Sequence, residues 1–218
     1  MVIFDCNGVL VDSEPLATAV VSREFMRAGF ALTPDLVARY FTGRRQSDMF
    51  AEVEIAAGRK LPPGFAATVT AATLQKFRDE LRPTAHMAHA LSWLRGPKCV
   101  ASSSPIERIR ASLETTDLLR FFEPNLFSAG DVPNGKPAPD LFLHVAGQMR
   151  VRAGDCLVVE DSPAGVAAAV AAGMTVIGFV GGSHAVTRLE HQLHESGARA
   201  VISDMRALKS TVIDLRGW

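Results

Sequence analysis

The 218-residue chain has no apolar run of about 18 residues, which excludes a membrane-spanning helix of ordinary length. It is poor in cysteine: Cys6, Cys99 and Cys156 are odd in number and sit in apolar, strand-like settings. That excludes a disulfide scaffold and points to buried free thiols in a reducing compartment. It has no excess of either charge, because 23 Lys+Arg balance 23 Asp+Glu. A basic footprint for nucleic acid or for an anionic membrane surface is therefore missing. Neutrality does not exclude an anionic metabolite, since a phosphate site needs only a few local groups. No basic segment followed by an apolar core marks the N-terminus as a signal peptide. Internal repeats and low-complexity tracts are absent as well. The expectation is a cytoplasmic protein, a monomer, whose partner is a small molecule.

What the chain does have is apolar content, 48% of its residues, enough for one sizeable core with a small appended domain. The first strand begins almost at Met1, as expected of a chain missing a few native N-terminal residues. Val2-Ile3-Phe4 reads as a buried parallel strand, and it ends abruptly in Asp5. In open α/β sheets the carboxyl ends of strands are where ligands bind, so Asp5 is read as a metal ligand, a nucleophile or both. Asn7-Gly8 supplies a turn whose backbone N–H groups can form an anion-binding nest.

Residues 15–81 contain helical patterns and no convincing strand. Pro15 is placed to open a helix, and Gly29 to stop it. Thr33-Pro34-Asp35 starts a second, running to about Tyr40. Residues 41–46 form a loop, Ser47-Asp48 are expected to cap a third helix, and a fourth spans Phe65 to Leu81. Arg82-Pro83-Thr84 reads as the return. From there short apolar strands alternate with helices, which predicts a parallel sheet with right-handed crossovers. Strands are expected at 98–102, 125–128, 155–159, 175–179 and 200–202. Helices are expected at 85–95, from Ser104 (a Ser-x-x-Glu capping box with Glu107), at 140–149, after Ser162, and at 184–196. The predicted fold is α/β: a Rossmann-like parallel sheet formed by residues 1–14 and 83–218, with a four-helix insert at 15–82.

Four positions at or just beyond strand ends carry reactive groups: Asp5, Ser102, Lys136 and the pair Glu160-Asp161. The stretch Asp5-Cys6-Asn7-Gly8-Val9-Leu10-Val11-Asp12-Ser13 resembles the first motif of the haloacid dehalogenase superfamily, and most closely its phosphatase and β-phosphoglucomutase-like branch with a helical cap. Val100-Ala101-Ser102-Ser103-Ser104-Pro105 resembles the second motif, Gly135-Lys136-Pro137 the third, and Val158-Val159-Glu160-Asp161 the fourth. The four fall in the family's order. The resemblance implies that Asp5 attacks phosphorus and forms an aspartyl-phosphate. It implies Mg²⁺ held by Asp5, the backbone carbonyl of Asn7 and Asp161, with Glu160 nearby. It implies a phosphoryl group held by Ser102 and Lys136 together with Cys6, Asn7 and Ser103. Such a division of labour is chemically sensible. A dianionic phosphate beside a carboxylate nucleophile needs a divalent cation, an ammonium and a hydroxyl to offset repulsion. Lys136 alone reads as a solvated loop residue, and Ser102 alone as a turn or cap; their shared placement carries the reading. A response-regulator receiver also gathers acids and a lysine at strand ends, but it is much shorter and has no such helical insert.

In this family the insert is a cap that closes over the site. Its loop Arg44-Arg45-Gln46 is expected to read the substrate, and Lys76 and Arg78 are candidates to face the cleft. The nearest branch acts on phosphorylated sugars and sugar acids. Mutase chemistry, the alternative, goes with a histidine where this chain has Ala17, and a haloacid substrate suits Lys136 and Glu160-Asp161 less well than a phosphate and Mg²⁺. One motif position departs: the family's second aspartate, which protonates the leaving oxygen and activates water, is Asn7. Asparagine keeps size and carbonyl but supplies neither acid nor base. Three explanations stay open: a substitution introduced to trap a ligand, a natural asparagine in a slow or substrate-assisted enzyme, or a catalytically silent phosphometabolite-binding module.

Overall fold

A computed structural model gives the architecture and describes residues 1–216. In chain order the elements are β1 (Val2–Phe4), α1 (Glu14–Arg27), α2 (Pro34–Phe41), α3 (Gln46–Ala57), α4 (Phe65–Glu80), α5 (Met87–Trp93), β2 (Lys98–Ser102) and α6 (Ile106–Thr115). Then come β3 (Leu126–Ser128), α7 (Asp140–Gln148), β4 (Leu157–Glu160), α8 (Pro163–Ala171), β5 (Thr175–Phe179), α9 (Leu189–Glu195), β6 (Ala200–Ile202) and α10 (Leu208–Arg216). The six strands form one parallel sheet in the order β3-β2-β1-β4-β5-β6. This is the predicted α/β fold. None of the helices among the described residues is long and apolar enough to cross a membrane.

The strands are apolar between their ends because both faces are covered. Alternation sorts their side chains: Val2 and Phe4, Val100, Leu157 and Val159 join one apolar cluster, while Ile3, Cys99, Ala101 and Val158 join the other. All three cysteines are buried free thiols, as expected. The strand order reverses at β1. From β1 the chain steps to β2 and β3 on one side, then returns to lay β4, β5 and β6 on the other. Such a switch point opens a crevice at the carboxyl ends of the strands. Register fixes what lines it. Phe4 pairs with both Val100 and Val159, so Asp5 comes level with Glu160, and its N–H donates to the Val159 carbonyl at 3.0 Å.

The insert between β1 and α5 packs around its own apolar cluster, drawn entirely from residues 21–69. Phe25 is at its centre, with ring centroids 4.8 Å from Phe65, 5.5 Å from Phe50 and 5.9 Å from Phe30, all edge-to-face. The two ends of the insert lie side by side: Asp12 N–H donates to Arg82 O and Thr84 N–H to Leu10 O, each at 3.0 Å.

Two expected helix caps are not used. α3 is entered from Arg45, two residues before the expected cap at Ser47, and the Arg45 carbonyl accepts from the N–H groups of Asp48 and Met49; Ser47 and Asp48 lie inside its first turn. α6 starts from Pro105 without a side-chain cap, because the Ser104 hydroxyl is drawn to Asn7 instead. The helix expected at 184–196 is confined to Leu189–Glu195, and α10 had no clear signal in the sequence.

Candidate active site

The crevice holds a buried charge cluster. Lys136 Nζ donates to Asp5 Oδ1 at 2.6 Å and also to Glu160 Oε1, with all three side chains almost wholly inaccessible. Glu160 is held from its other oxygen by the Ser162 hydroxyl, at 3.0 Å, and that hydroxyl also accepts from Gly165 N–H to cap α8. Burial pushes the Asp5 carboxyl well above its ordinary value; Lys136 opposes this, and Glu160 and Asp161 add to it. Burial works against the Lys136 charge, but Asp5 and Glu160 outweigh it and keep the ammonium firmly protonated. Two carboxyls thus share one ammonium, and a third, Asp161, lies beside them against His184; such a gathering of carboxyls suits a further cation.

Gly8 makes the arrangement possible. Its φ is +77°, and a Cβ there would stand 1.9 Å from Asp161 Oδ2. Glycine therefore allows Asp161 to lie directly against the turn that follows Asp5. Asp161 Oδ2 is buried and accepts no hydrogen bond. His184 Nε2 lies 2.9 Å from it, an ion-pair distance without hydrogen-bond alignment, and, against the opposing effect of burial, Asp161 draws the His184 imidazole above its ordinary value. Among the described residues no three His, Cys, Asp or Glu side chains converge into a ready-made metal cage.

A cavity opens in front of Asp5. It is lined by Asp5, Asn7, Ser102 and Ser103 from the strand ends and by Gly43, Arg44 and Gln46 from the insert. Glu14 and Arg108 line it too. Lys136 and Glu160 stand behind Asp5, and Asp161 borders a neighbouring cleft with His184. The Asn7 amide donates to Ser104 Oγ at 2.8 Å, leaving its buried Oδ1 without a donor. Ser102 Oγ accepts from Ser104 N–H at 3.2 Å. Ser103 Oγ donates to the Gly43 carbonyl at 2.8 Å, tying the insert to the strand end. Gly43 has φ +78°, and a Cβ there would come within 2.3 Å of Ser162 Oγ, so this seam too depends on glycine.

Not every expected residue reaches the cavity. The Cys6 side chain is wholly buried in the core, where burial holds its thiol high, so only its backbone is available to a ligand. Arg45 turns away, donating to the carbonyls of Val132 at 3.2 Å and Pro133 at 3.4 Å. Arg44 lines the cavity but is engaged by Glu52, through an Nη1 contact of 3.1 Å. Lys76 pairs with Glu80 and Arg78 with Gln75, and neither lines the cavity. Sequence reasoning did not single out Glu14, Arg108 or His184. The only signal for Glu14 is its adjacency to the first motif.

The sequence profile of the haloacid dehalogenase-like hydrolases matches residues 1–173. The 6-phosphogluconate phosphatase of Escherichia coli is 33% identical over 184 residues, covering 84% of this chain and 83% of that protein. A phosphorylated carbohydrates phosphatase of Thermotoga maritima is 30% identical over 177 residues, covering 79% and 81%. Among solved structures, a conserved haloacid dehalogenase-like protein of unknown function from Agrobacterium tumefaciens superposes with a TM-score of 0.82. It is 35% identical, and the match covers 98% of this chain and 97% of that one.

Proposed function

The chain belongs to the haloacid dehalogenase-like hydrolase family, and from that premise we propose that it is a Mg²⁺-dependent phosphomonoester hydrolase of small sugar phosphates or phosphorylated sugar acids. The observation that carries the reading is the buried Asp5–Lys136–Glu160 cluster behind a cavity lined by Ser102 and Ser103. The activities for which the Escherichia coli and Thermotoga relatives are named support the substrate class. Asp5 is the nucleophile: it attacks phosphorus, the bond to the sugar oxygen breaks, and an aspartyl-phosphate forms that water then hydrolyses. Lys136 fixes the Asp5 carboxylate and offsets charge on the phosphoryl oxygens, to which Ser102 donates a hydrogen bond.

The donor set fits Mg²⁺. Asp161 offers a buried oxygen with no hydrogen bond, beside the Asn7-Gly8 turn and Asp5. Mg²⁺ needs only one or two carboxylates when waters and substrate phosphate complete its shell. Asp5, the Asn7 carbonyl and Asp161 would hold it, while Glu160 is taken up by Lys136 and Ser162. When bound, the ion offsets the repulsion between carboxylates and phosphate. Residues 15–82 act as the cap over the core formed by 1–14 and 83–218, and the Ser103–Gly43 and Arg45–Val132 contacts describe its closed seam.

Asn7 slows this chemistry, because an amide bonded to Ser104 neither protonates the leaving oxygen nor activates water. That same contact favours a second reading, a catalytically silent phosphometabolite-binding module. The test is Mg²⁺-dependent phosphate release from a panel of sugar phosphates, run on this chain and on Asn7→Asp. Release by the variant supports the hydrolase; binding without release by either protein supports the module.

A further inference from the structure

Among the described residues two guanidinium groups line the cavity, Arg44 and Arg108, and Arg108 has no part in the chemistry proposed at Asp5. It stands in the first turn of α6, just beyond the end of β2, and lines the cavity together with Asp5 and Asn7. Its Nε is fully buried and bonds to nothing. The guanidinium carbon stands 4.9 Å from the centre of the Phe77 ring of α4, and among the described residues no hydrogen bond or ion pair engages the group, although the Glu14 carboxyl acts on it through space. Glu14 lines the same cavity, yet among the described residues the two form no ion pair within 4.0 Å.

This placement is costly three times over. A buried N–H without an acceptor forfeits its hydration. A cation in the first turn of a helix opposes the helix dipole. A guanidinium, always charged, loses solvent in a cavity wall. The stack on Phe77 offsets only part of this. The costs disappear if an anion enters the cavity. The guanidinium then has an acceptor of matching planar shape, held in orientation by the aromatic ring beneath it. On the reading above, Lys136 and Ser102 address the reacting phosphoryl group, which leaves Arg108, in the same cavity, to meet a second anionic group.

We propose that Arg108 is the specificity-determining residue of this site, reading a second anionic group (a carboxylate or a second phosphate) at the non-reacting end of the substrate. The proposal rests on the phosphomonoesterase reading and narrows its substrates to those charged at both ends. Arg44 and Arg45, the readers expected from sequence, are engaged by Glu52 and by backbone carbonyls.

Calorimetric titration of the chain as it stands, Asn7 included, tests this without turnover. Two ligand pairs separate the two anions: 6-phosphogluconate against sorbitol 6-phosphate, and fructose 1,6-bisphosphate against fructose 6-phosphate. The chain binds the doubly charged member of one pair more tightly, and that pair names the anion. Arg108→Gln weakens that ligand about 10–100-fold and its singly charged counterpart less than about 3-fold. Arg108→Lys, which keeps the charge but not the planar fork, gives an intermediate loss and carries the test if the glutamine variant does not fold. Equal losses for both members, no loss, or no preference in the parent chain overturns the proposal. Phosphate release by Asn7→Asp reports separately on the hydrolase reading. Release without a binding preference sinks Arg108 alone, whereas a preference without release sinks the hydrolase alone.

Discussion

The carboxyl ends of the strands and the core of the helical insert solve opposite packing problems. At the strand ends Asp5, Glu160 and Lys136 are buried together, with Asp161 beside them holding an oxygen that accepts no hydrogen bond. In the insert four phenylalanines close on one another. Buried ion clusters are weak contributors to stability, since desolvation offsets attraction. Buried aromatic clusters are strong ones. The difference teaches where chemistry is concentrated: the buried charge cluster sits on the sheet, and the insert meets it at a seam where the Gly43 carbonyl accepts from Ser103 and the Arg45 guanidinium donates to the Val132 and Pro133 carbonyls.

The largest expected effect separates the two regions on activity alone. Restoring the acid with Asn7→Asp raises Mg²⁺-dependent phosphate release by ~10²–10⁴-fold. No substitution in the aromatic cluster produces a gain of that kind. A panel of sugar phosphates with a phosphate-release readout checks it, and an unchanged rate removes Asn7 as the block.

Removing Lys136 breaks the strand-end cluster. Lys136→Met leaves Asp5 and Glu160 buried without a counter-charge and costs about 3–5 kcal/mol in urea unfolding. The loss carries a pH signature. Burial already holds both carboxyls above their ordinary values, and without the ammonium they rise further. A raised folded-state pKa gives stability that is present at low pH and lost as pH rises through it. The deficit of the variant is therefore smallest near the ordinary carboxylate range and grows toward neutrality. Phe25→Ala costs a comparable ~3–5 kcal/mol through the cavity it leaves, but with no such pH dependence. Matching pH profiles for the two variants would erase the distinction drawn between the regions.

The strand-end half of this comparison was legible in the sequence because its signals are local. An apolar run that stops at a carboxylate or hydroxyl marks a strand end wherever it occurs, and Asp5, Ser102 and Glu160 all obey that pattern. Lys136 was placed by its turn-rich loop and by resemblance; its bond to Asp5, 131 positions away, needed the fold. The rest depended on orientation. Ser104 carried a proper capping-box spacing, yet its hydroxyl serves Asn7, because a buried amide competes better for it than the helix end does. Arg44 and Arg45 are adjacent in sequence, but the extended backbone at Arg45 sends one toward the cavity and the other toward Val132. Arg108 was invisible for the same reason: one of two arginines on α6, singled out only by which way its first turn faces.

A smaller effect probes the seam between the regions. Arg45→Ala removes the bonds to the Val132 and Pro133 carbonyls, a loss of about 1 kcal/mol. It loosens docking without unfolding either part. Amide exchange over residues 42–46 speeds up several-fold, while the urea midpoint falls by no more than that ~1 kcal/mol accounts for. A larger fall would show instead that the seam, and not the aromatic cluster, holds the insert folded.

The smallest effect tests whether charge in the cavity is costly where the insert meets the sheet. Burial, and then Asp161, push the Glu14 carboxyl above its ordinary 4.5, with His184 and Arg108 pulling the other way. Ionising Glu14 is therefore harder in the folded chain than in the unfolded one. Its stabilising share is present below about pH 4.5 and is lost as pH climbs through the folded value. Glu14→Gln cannot ionise, so it escapes that loss. Melting temperatures of the two proteins coincide at acid pH and diverge toward neutrality, with the glutamine variant higher. A constant offset at every pH would mean that Glu14 contributes through packing alone. The electrostatic cost would then belong to the strand ends and stop short of the insert.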